Sequence, residues 1–332
     1  MKMTHPFAQY IQILGKGRRG ARDLSAEEAA QSMSMILAGQ VEPEQLGAFL
    51  MLMRVKEETP AEVAGFVSAA RLSLTVPSDF SDVDLDWSSY AGKRRQLPWF
   101  VLAALLLANH GIKVLMHGTE INNPERIYTP AALKALGIET GQSFEQVAQH
   151  LQRRNFAYIP LAALNPKLQH LLDLKVMLGL RSPVHTVVRM LNPAFARTSM
   201  IGIFHPGYDE VHQAAAEILQ DQNLAVFKGE GGEAERNPDA PCQVRMLVQG
   251  KMHEETWPAL FTSRHMKDED MDVSRLGKLW RGEIEDEYGQ ATILSTAAIA
   301  LRAMGRAANR VEAEQQAADF WQRRDRNFFG NA

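Results

Sequence analysis

The chain has 332 residues, enough for two domains, with 45% hydrophobic and 23% charged side chains, an ordinary globular balance. Cys242 is its only cysteine, which excludes an intrachain disulfide, and the longest apolar run, Trp99 to Ala108, is far short of the ~20 residues of a membrane helix. A net charge of −3 excludes a uniformly basic coat, and the opening segment, MKMTHPFAQY, lacks the apolar core of a signal peptide; a cytoplasmic protein is the expectation.

Residues 1–76 read as helices. Ser25-Ala-Glu-Glu28 is a capping box, in which hydroxyl and carboxylate each satisfy an orphan helix donor. The helix it opens ends at Gly39, and Pro43 suits the first turn of the next, where Leu46, Phe49, Leu50 and Met53 recur at helical spacing. Thr59-Pro-Ala-Glu62 opens another, with Val63, Phe66, Val67 and Ala70 on one face. Met33, Met35, Met51 and Met53 fit either core packing or a helical dimer interface.

After Pro77 the pattern alternates. Strands are expected at Val83 to Trp87, Ile112 to Met116, Phe156 to Ile159, Met200 to Phe204 and Leu224 to Phe227, with Val244 to Val248 as an addition. Trp99 to Ala108 reads as a buried helix stopped at Gly111; Thr129 to Leu136 and Glu210 to Gln220 are further helices. Such alternation favours a mostly parallel sheet. Tyr288 to Phe320 is alanine-rich and helical, and Arg323 to Ala332 is expected to fray.

Positive charge is uneven. Lys16, Arg18, Arg19 and Arg22 crowd a glycine-bearing loop before Ser25, and Lys93, Arg94 and Arg95 form a second knot. Such clusters can hold a polyanion despite an acidic total. Asp209-Glu210 is explained by its place at a helix start, where acids are favoured. Lys228 to Glu235 is glycine-rich but lacks the Gly-Lys-Ser/Thr ending of a nucleotide loop. Met266 to Asp272 lacks the glycine of a calcium loop and reads as a solvated face.

Gln45-Leu-Gly-Ala-Phe-Leu-Met-Leu-Met-Arg-Val-Lys-Glu-Glu-Thr59, then Pro60 to Gly65, His117-Gly118, Ala131 to Gly137, Leu178-Gly-Leu-Arg181 and Leu191-Asn-Pro193 form a collinear set. The set closely resembles the anthranilate phosphoribosyltransferases. That resemblance implies their α/β fold, akin to class II nucleoside phosphorylases: a small all-helical domain over 1–76, rejoined by helices near 165–190, and a larger α/β domain over 77–332 with a mostly parallel central sheet. It also implies a cleft between the two and a homodimer through the helical domain.

Departures from the family pattern bear on activity. The family's Gly-Thr-Gly-Gly-Asp phosphate loop aligns with Asp86 to Arg95, where Trp87, Ser88, Ser89 and Tyr90 stand and Gly92 alone remains. Glycines there let backbone N–H groups approach a pyrophosphate. Lys-His-Gly-Asn-Arg becomes Met116-His-Gly-Thr-Glu120, retaining His117 and Gly118, and the serine pair beyond it is replaced around Asn122 to Glu125. The substrate-contacting arginine aligns with Lys175, and the magnesium-holding Asp-Glu pair with Glu233 and Ala234, Glu235 standing close by. No catalytic residue, metal or cofactor is therefore expected.

The chain thus resembles a branch of this superfamily associated with nucleic-acid binding rather than tryptophan synthesis. That resemblance implies a homodimer binding DNA and RNA phosphate backbones without strong sequence preference. Lys16, Arg18, Arg19, Arg22, Lys93, Arg94, Arg95, Lys175 and Arg181 are its candidate contacts, with Arg181 open to a structural ion pair instead. Trp87 and Tyr90 either stack bases beside these cations or pack beneath the loop. The competing reading is a phosphoribosyltransferase or phosphorylase with another acceptor; a third is a protein-interaction scaffold built on the Met-rich helices.

Overall fold

The computed structural model describes residues 4–17, 19–77, 80, 83–120, 123 and 125–329. Arg18, Asn122 and the last three residues lie outside them. Four helices open the chain: α1 (Ala8–Gly15), α2 (Ala26–Leu37), α3 (Pro43–Lys56) and α4 (Pro60–Leu72). The expected capping box forms between Ser25 and Glu28, and the helix opened at Thr59 carries another, with Glu62. Phe7, Phe49 and Phe66 meet edge-to-face at the centre. Gly65 permits the tight α2–α4 crossing, since a Cβ there would lie 2.2 Å from the Ala26 carbonyl oxygen. Met33 and Met53 belong to this core, whereas Met35 and Met51 are half-buried at its edge.

The larger part is built on one seven-stranded sheet. Strands β1 (Leu85–Ser89), β2 (Val114–Gly118), β3 (Phe156–Pro160), β4 (Thr198–Ile203) and β5 (Asn223–Lys228) are parallel; β6 (Cys242–Val248) and β7 (Lys251–Trp257) add antiparallel pairs. The order is β3-β2-β1-β4-β5-β6-β7. The chain therefore runs one way from β1 to β3 and the other way from β4. Between β1 and β4, neighbouring connections leave toward opposite sides, and a crevice opens beyond the strands' C-terminal ends. Helix α5 (Trp99–Asn109) follows the β1 loop and is buried on all sides from Trp99 to Ala108, as its unbroken apolar run predicts.

Three expectations need correction. β1 and β2 begin about two residues later than the apolar pattern placed them, because their register starts at Leu85 opposite Val114. The C-terminal helical stretch is two helices, Glu287–Ala303 and Arg310–Gln322, separated at Gly305 with φ of 71°. The tail after Arg323 does not fray as far as Phe329: Arg324 lies 3.6 Å over the Trp321 ring, Trp280 Nε1 donates to the Asp325 carbonyl, and Phe329 packs on Trp280.

Helix Pro166–Leu178 reaches back to the first four helices, where Lys167 Nζ donates to the Leu37 carbonyl at 2.6 Å. Arg71 of α4 clamps Asp221 through two hydrogen bonds of 2.7 and 2.8 Å, tying the helices to the sheet. Among the described residues no helix is long and apolar enough to cross a membrane.

Candidate functional site

The loop leaving β1 sits at the centre of the sheet, where the fold places a ligand. Its two leading N–H groups are already taken. Ala91 N and Gly92 N both donate to Glu233 Oε1, at 2.7 and 2.5 Å. Gly92 holds φ of 67°, and a Cβ there would lie 2.8 Å from the Tyr128 ring. Arg126 closes the loop from the other side, donating to the Ala91 and Gly92 carbonyls at 2.9 Å each. One carboxylate oxygen thus occupies the paired N–H groups of a loop shaped to receive an anion.

Lys93 turns inward. It is fully buried and forms ion pairs with Glu230 and Glu235. Desolvation pulls its ammonium down, but Glu235 and Glu230 outweigh that and leave it above the ordinary lysine value. Burial raises the Glu235 carboxyl despite Lys93. The other Glu235 oxygen accepts from Phe100 N at 2.8 Å, in the first turn of α5. Lys93 is therefore not a rim cation, contrary to expectation; it is the counter-ion of two acids.

Both aromatic side chains of the loop region are enclosed as well. Trp87 points from β1 into the core and is fully buried; Tyr90 is 4% exposed. Neither can stack on a base, which settles their open reading for packing. Tyr90 Oη bonds His117 Nδ1 at 2.7 Å, and His117 Nε2 lies 3.3 Å from Asp86 Oδ1. Ser89 Oγ pairs with Thr129 Oγ1 at 2.7 Å, and Ser88 Oγ reaches the Met200 carbonyl at 3.4 Å. Gly118 is required, since a Cβ would fall 1.9 Å from the Ser89 carbonyl oxygen. These residues serve as interior framework.

Arg94 and Arg95, next in sequence, are exposed. Arg95 lines a cavity of about 960 Å³ together with Lys228, Arg264 and Lys267. None of these four cations has an ion pair among the described residues, whereas the cavity's acids do have partners. Asp209 and Glu210 bind Arg245, Glu230 binds Lys93, and Asp239 binds His265. A second cavity, of about 80 Å³, adjoins the first at Ile203 and Phe204 and is lined by Arg54, Arg181 and Arg189 among others. Arg181 is half-buried with no carboxylate partner among the described residues, which decides against a structural ion pair.

The remaining candidates stand apart from these cavities. Lys16 and Arg19 are exposed on the α1–α2 loop, and Arg22 there is tied to Glu28 through two bonds of 2.7 Å. Lys175 is half-buried on helix Pro166–Leu178. Sequence reasoning missed Arg54, Arg126, Arg189, Arg264 and Lys267. The signal for the last two was present in Arg264-His-Met-Lys267, masked by the acids that follow. Among the described residues no three acids, histidines or cysteines are placed to hold a metal ion.

A family model for the helical bundle domain of a glycosyl transferase family matches residues 8–73, and one for its α/β domain matches residues 100–323. The chain belongs to this glycosyl transferase family. It is 27% identical over 246 residues to the Escherichia coli K12 protein YbiB, covering 73% of this chain and 76% of YbiB. The anthranilate phosphoribosyltransferase of Yersinia pestis strain Pestoides F is 26% identical over 309 residues, covering 89% of this chain and 91% of that one. The crystal structure of anthranilate phosphoribosyltransferase from Thermus thermophilus matches 98% of this chain and 99% of its own with a TM-score of 0.75 at 20% identity. That match establishes the anthranilate phosphoribosyltransferase fold, a helical bundle beside a mostly parallel sheet.

Proposed function

We propose that this chain binds nucleic-acid strands through their phosphates, without reading bases, on the scaffold of a transferase whose pyrophosphate cradle is plugged. The carrying observation is the division of charge at the β1 loop. Glu233 fills the cradle's N–H groups and two acids neutralise Lys93, yet Arg95, Lys228, Arg264 and Lys267, around the adjoining cavity, have no ion pair among the described residues. A small pyrophosphate meets an acid at the place where it needs donors. An extended polyanion meets four free cations. Filter retention of labelled DNA and RNA at low salt tests this directly: both are expected to be held irrespective of sequence, and retention of neither overturns the reading.

A homodimer through the helical part belongs to the same proposal. Ile36, Val41, Leu46, Leu171, Leu174 and Met177 line an apolar groove there, and Val176 beside it is 90% exposed. Sedimentation is expected to give a dimer.

The second reading, a phosphoribosyltransferase or phosphorylase with an unidentified acceptor, draws support from the family match across residues 100–323 and from relatives that are anthranilate phosphoribosyltransferases. It requires Glu233 to leave the loop. Calorimetry with phosphoribosyl pyrophosphate separates the two: no magnesium-dependent binding is expected, and magnesium-dependent stoichiometric heat would favour the transferase instead.

A further inference from the structure

The small cavity under α3 has a donor and acceptor pattern of its own. Arg54 and Arg181 bring guanidinium groups with no ion pair among the described residues. Arg189 spends its hydrogen bonds on the Gly202 and His185 carbonyls, at 3.0 and 2.9 Å. Two acids bear on these charges. Glu58 lines the cavity and accepts from Tyr208 Oη at 3.1 Å, and Glu233 acts on Arg189 from the loop side. Three arginines against two carboxylates leave the site net positive.

Its acceptors are as specific. His212 Nδ1 lies 2.6 Å from the Tyr208 carbonyl and His185 Nδ1 3.2 Å from the Ser182 carbonyl. A carbonyl only accepts, so each Nδ1 carries the proton, and in the neutral ring Nε2 offers a lone pair. Burial holds His212 down at about 4. Burial, reinforced by Arg181 and Arg189, holds His185 down at about 3. Neither Nε2 has a hydrogen-bond partner among the described residues, and the same is true of Ser182 Oγ. His212 is 2% exposed and Ser182 6%. Such buried, lining polar atoms call for a partner that donates.

We propose that this cavity binds a small tetrahedral oxyanion that keeps a hydroxyl, hydrogen phosphate being the simplest. Its charged oxygens face the arginines and its hydroxyl donates to a histidine Nε2. Sulfate matches it in shape but has no proton to give at neutral pH. The cavity shares Ile203 and Phe204 with the strand-binding one, but a phosphodiester likewise lacks that hydroxyl, so failure here leaves that reading untouched.

Titration calorimetry of the full chain with inorganic phosphate, sulfate and glycerol phosphate at constant ionic strength is the test. Phosphate is expected to bind saturably and sulfate roughly tenfold or more weakly. Arg181→Gln is expected to weaken phosphate roughly ten- to a hundredfold, with Arg54→Gln as a second probe of the same charge. His185→Phe is expected to narrow the gap between phosphate and sulfate. Glycerol phosphate is largely a dianion without a P–OH at neutral pH, so it is expected to bind weakly, like sulfate; binding tighter than that of inorganic phosphate overturns the hydroxyl donor. Equal affinity for phosphate and sulfate, undiminished binding in both arginine variants, or no saturable heat from phosphate overturns it.

Discussion

Replacing Lys93 with methionine is expected to lower the unfolding free energy by about 3–5 kcal/mol, the usual consequence of stranding a buried charge. Lys93 is fully buried between Glu230 and Glu235, and Glu235 has no exposure at all. Without the ammonium, the buried Glu235 carboxylate faces Glu230 at the cavity's edge, and one must take up a proton or draw in water. Adding Glu235→Gln to Lys93→Met should recover part of the loss, since it removes one of the stranded acids. Urea denaturation at neutral pH measures both. A loss under about 1 kcal/mol would place Lys93 in solvent and undo the account of the plugged loop.

The second large effect is acid sensitivity carried by His212. Its folded pKa of about 4 lies below the ordinary histidine value of 6.5, so the unfolded chain binds the proton more tightly. The stability this contributes is fully present above pH 6.5 and is lost as pH falls toward 4. Between pH 6.5 and 4.5 the loss is about 2 kcal/mol, from 1.36 kcal/mol per pKa unit. His185, held at about 3, acts in the same direction. His212→Gln keeps an amide N–H for the Tyr208 carbonyl but cannot titrate. Denaturation midpoints followed from pH 7 to 4.5 should therefore fall less in this variant than in the parent chain. Identical acid limbs would show that the imidazole is solvated.

Local chemistry was legible in the sequence wherever it acts over a few residues. The capping box at Ser25 and the helix start at Thr59 formed as read, because hydroxyl and carboxylate three residues apart need no other part of the chain. Helix α5 was legible because ten apolar residues in a row cannot face water. β7 was not: Lys251 to Glu255 is polar, as suits an edge strand, and its partner is found through a two-residue turn at Gln249 and Gly250, both at positive φ.

At the site, the loss of the family's glycines could be read directly, but what replaced their ligand could not. Glu233 reaches back across 142 residues to Ala91 N, a contact no spacing encodes. Lys93, Arg94 and Arg95 look alike as a run of cations. A single antiparallel bridge between Lys93 and Ile127 sets the backbone there; Lys93 lies inside and the two arginines lie outside. The unpaired cations Lys228, Arg264 and Lys267 come from a strand end and a distant loop, and only the fold brings them to Arg95.

On the proposed reading, four cations without ion pairs among the described residues, and not the β1 loop, meet the phosphates of a strand. Fluorescence anisotropy of a labelled single strand against rising salt tests it most directly, comparing the parent chain with a variant carrying alanine at Arg95, Lys228, Arg264 and Lys267. The parent's plot of log affinity against log salt should be steeper by about 3, from ~0.7 per phosphate contact on single strands. Parallel plots for the two proteins, or no binding by the parent at low salt, would contradict the claim.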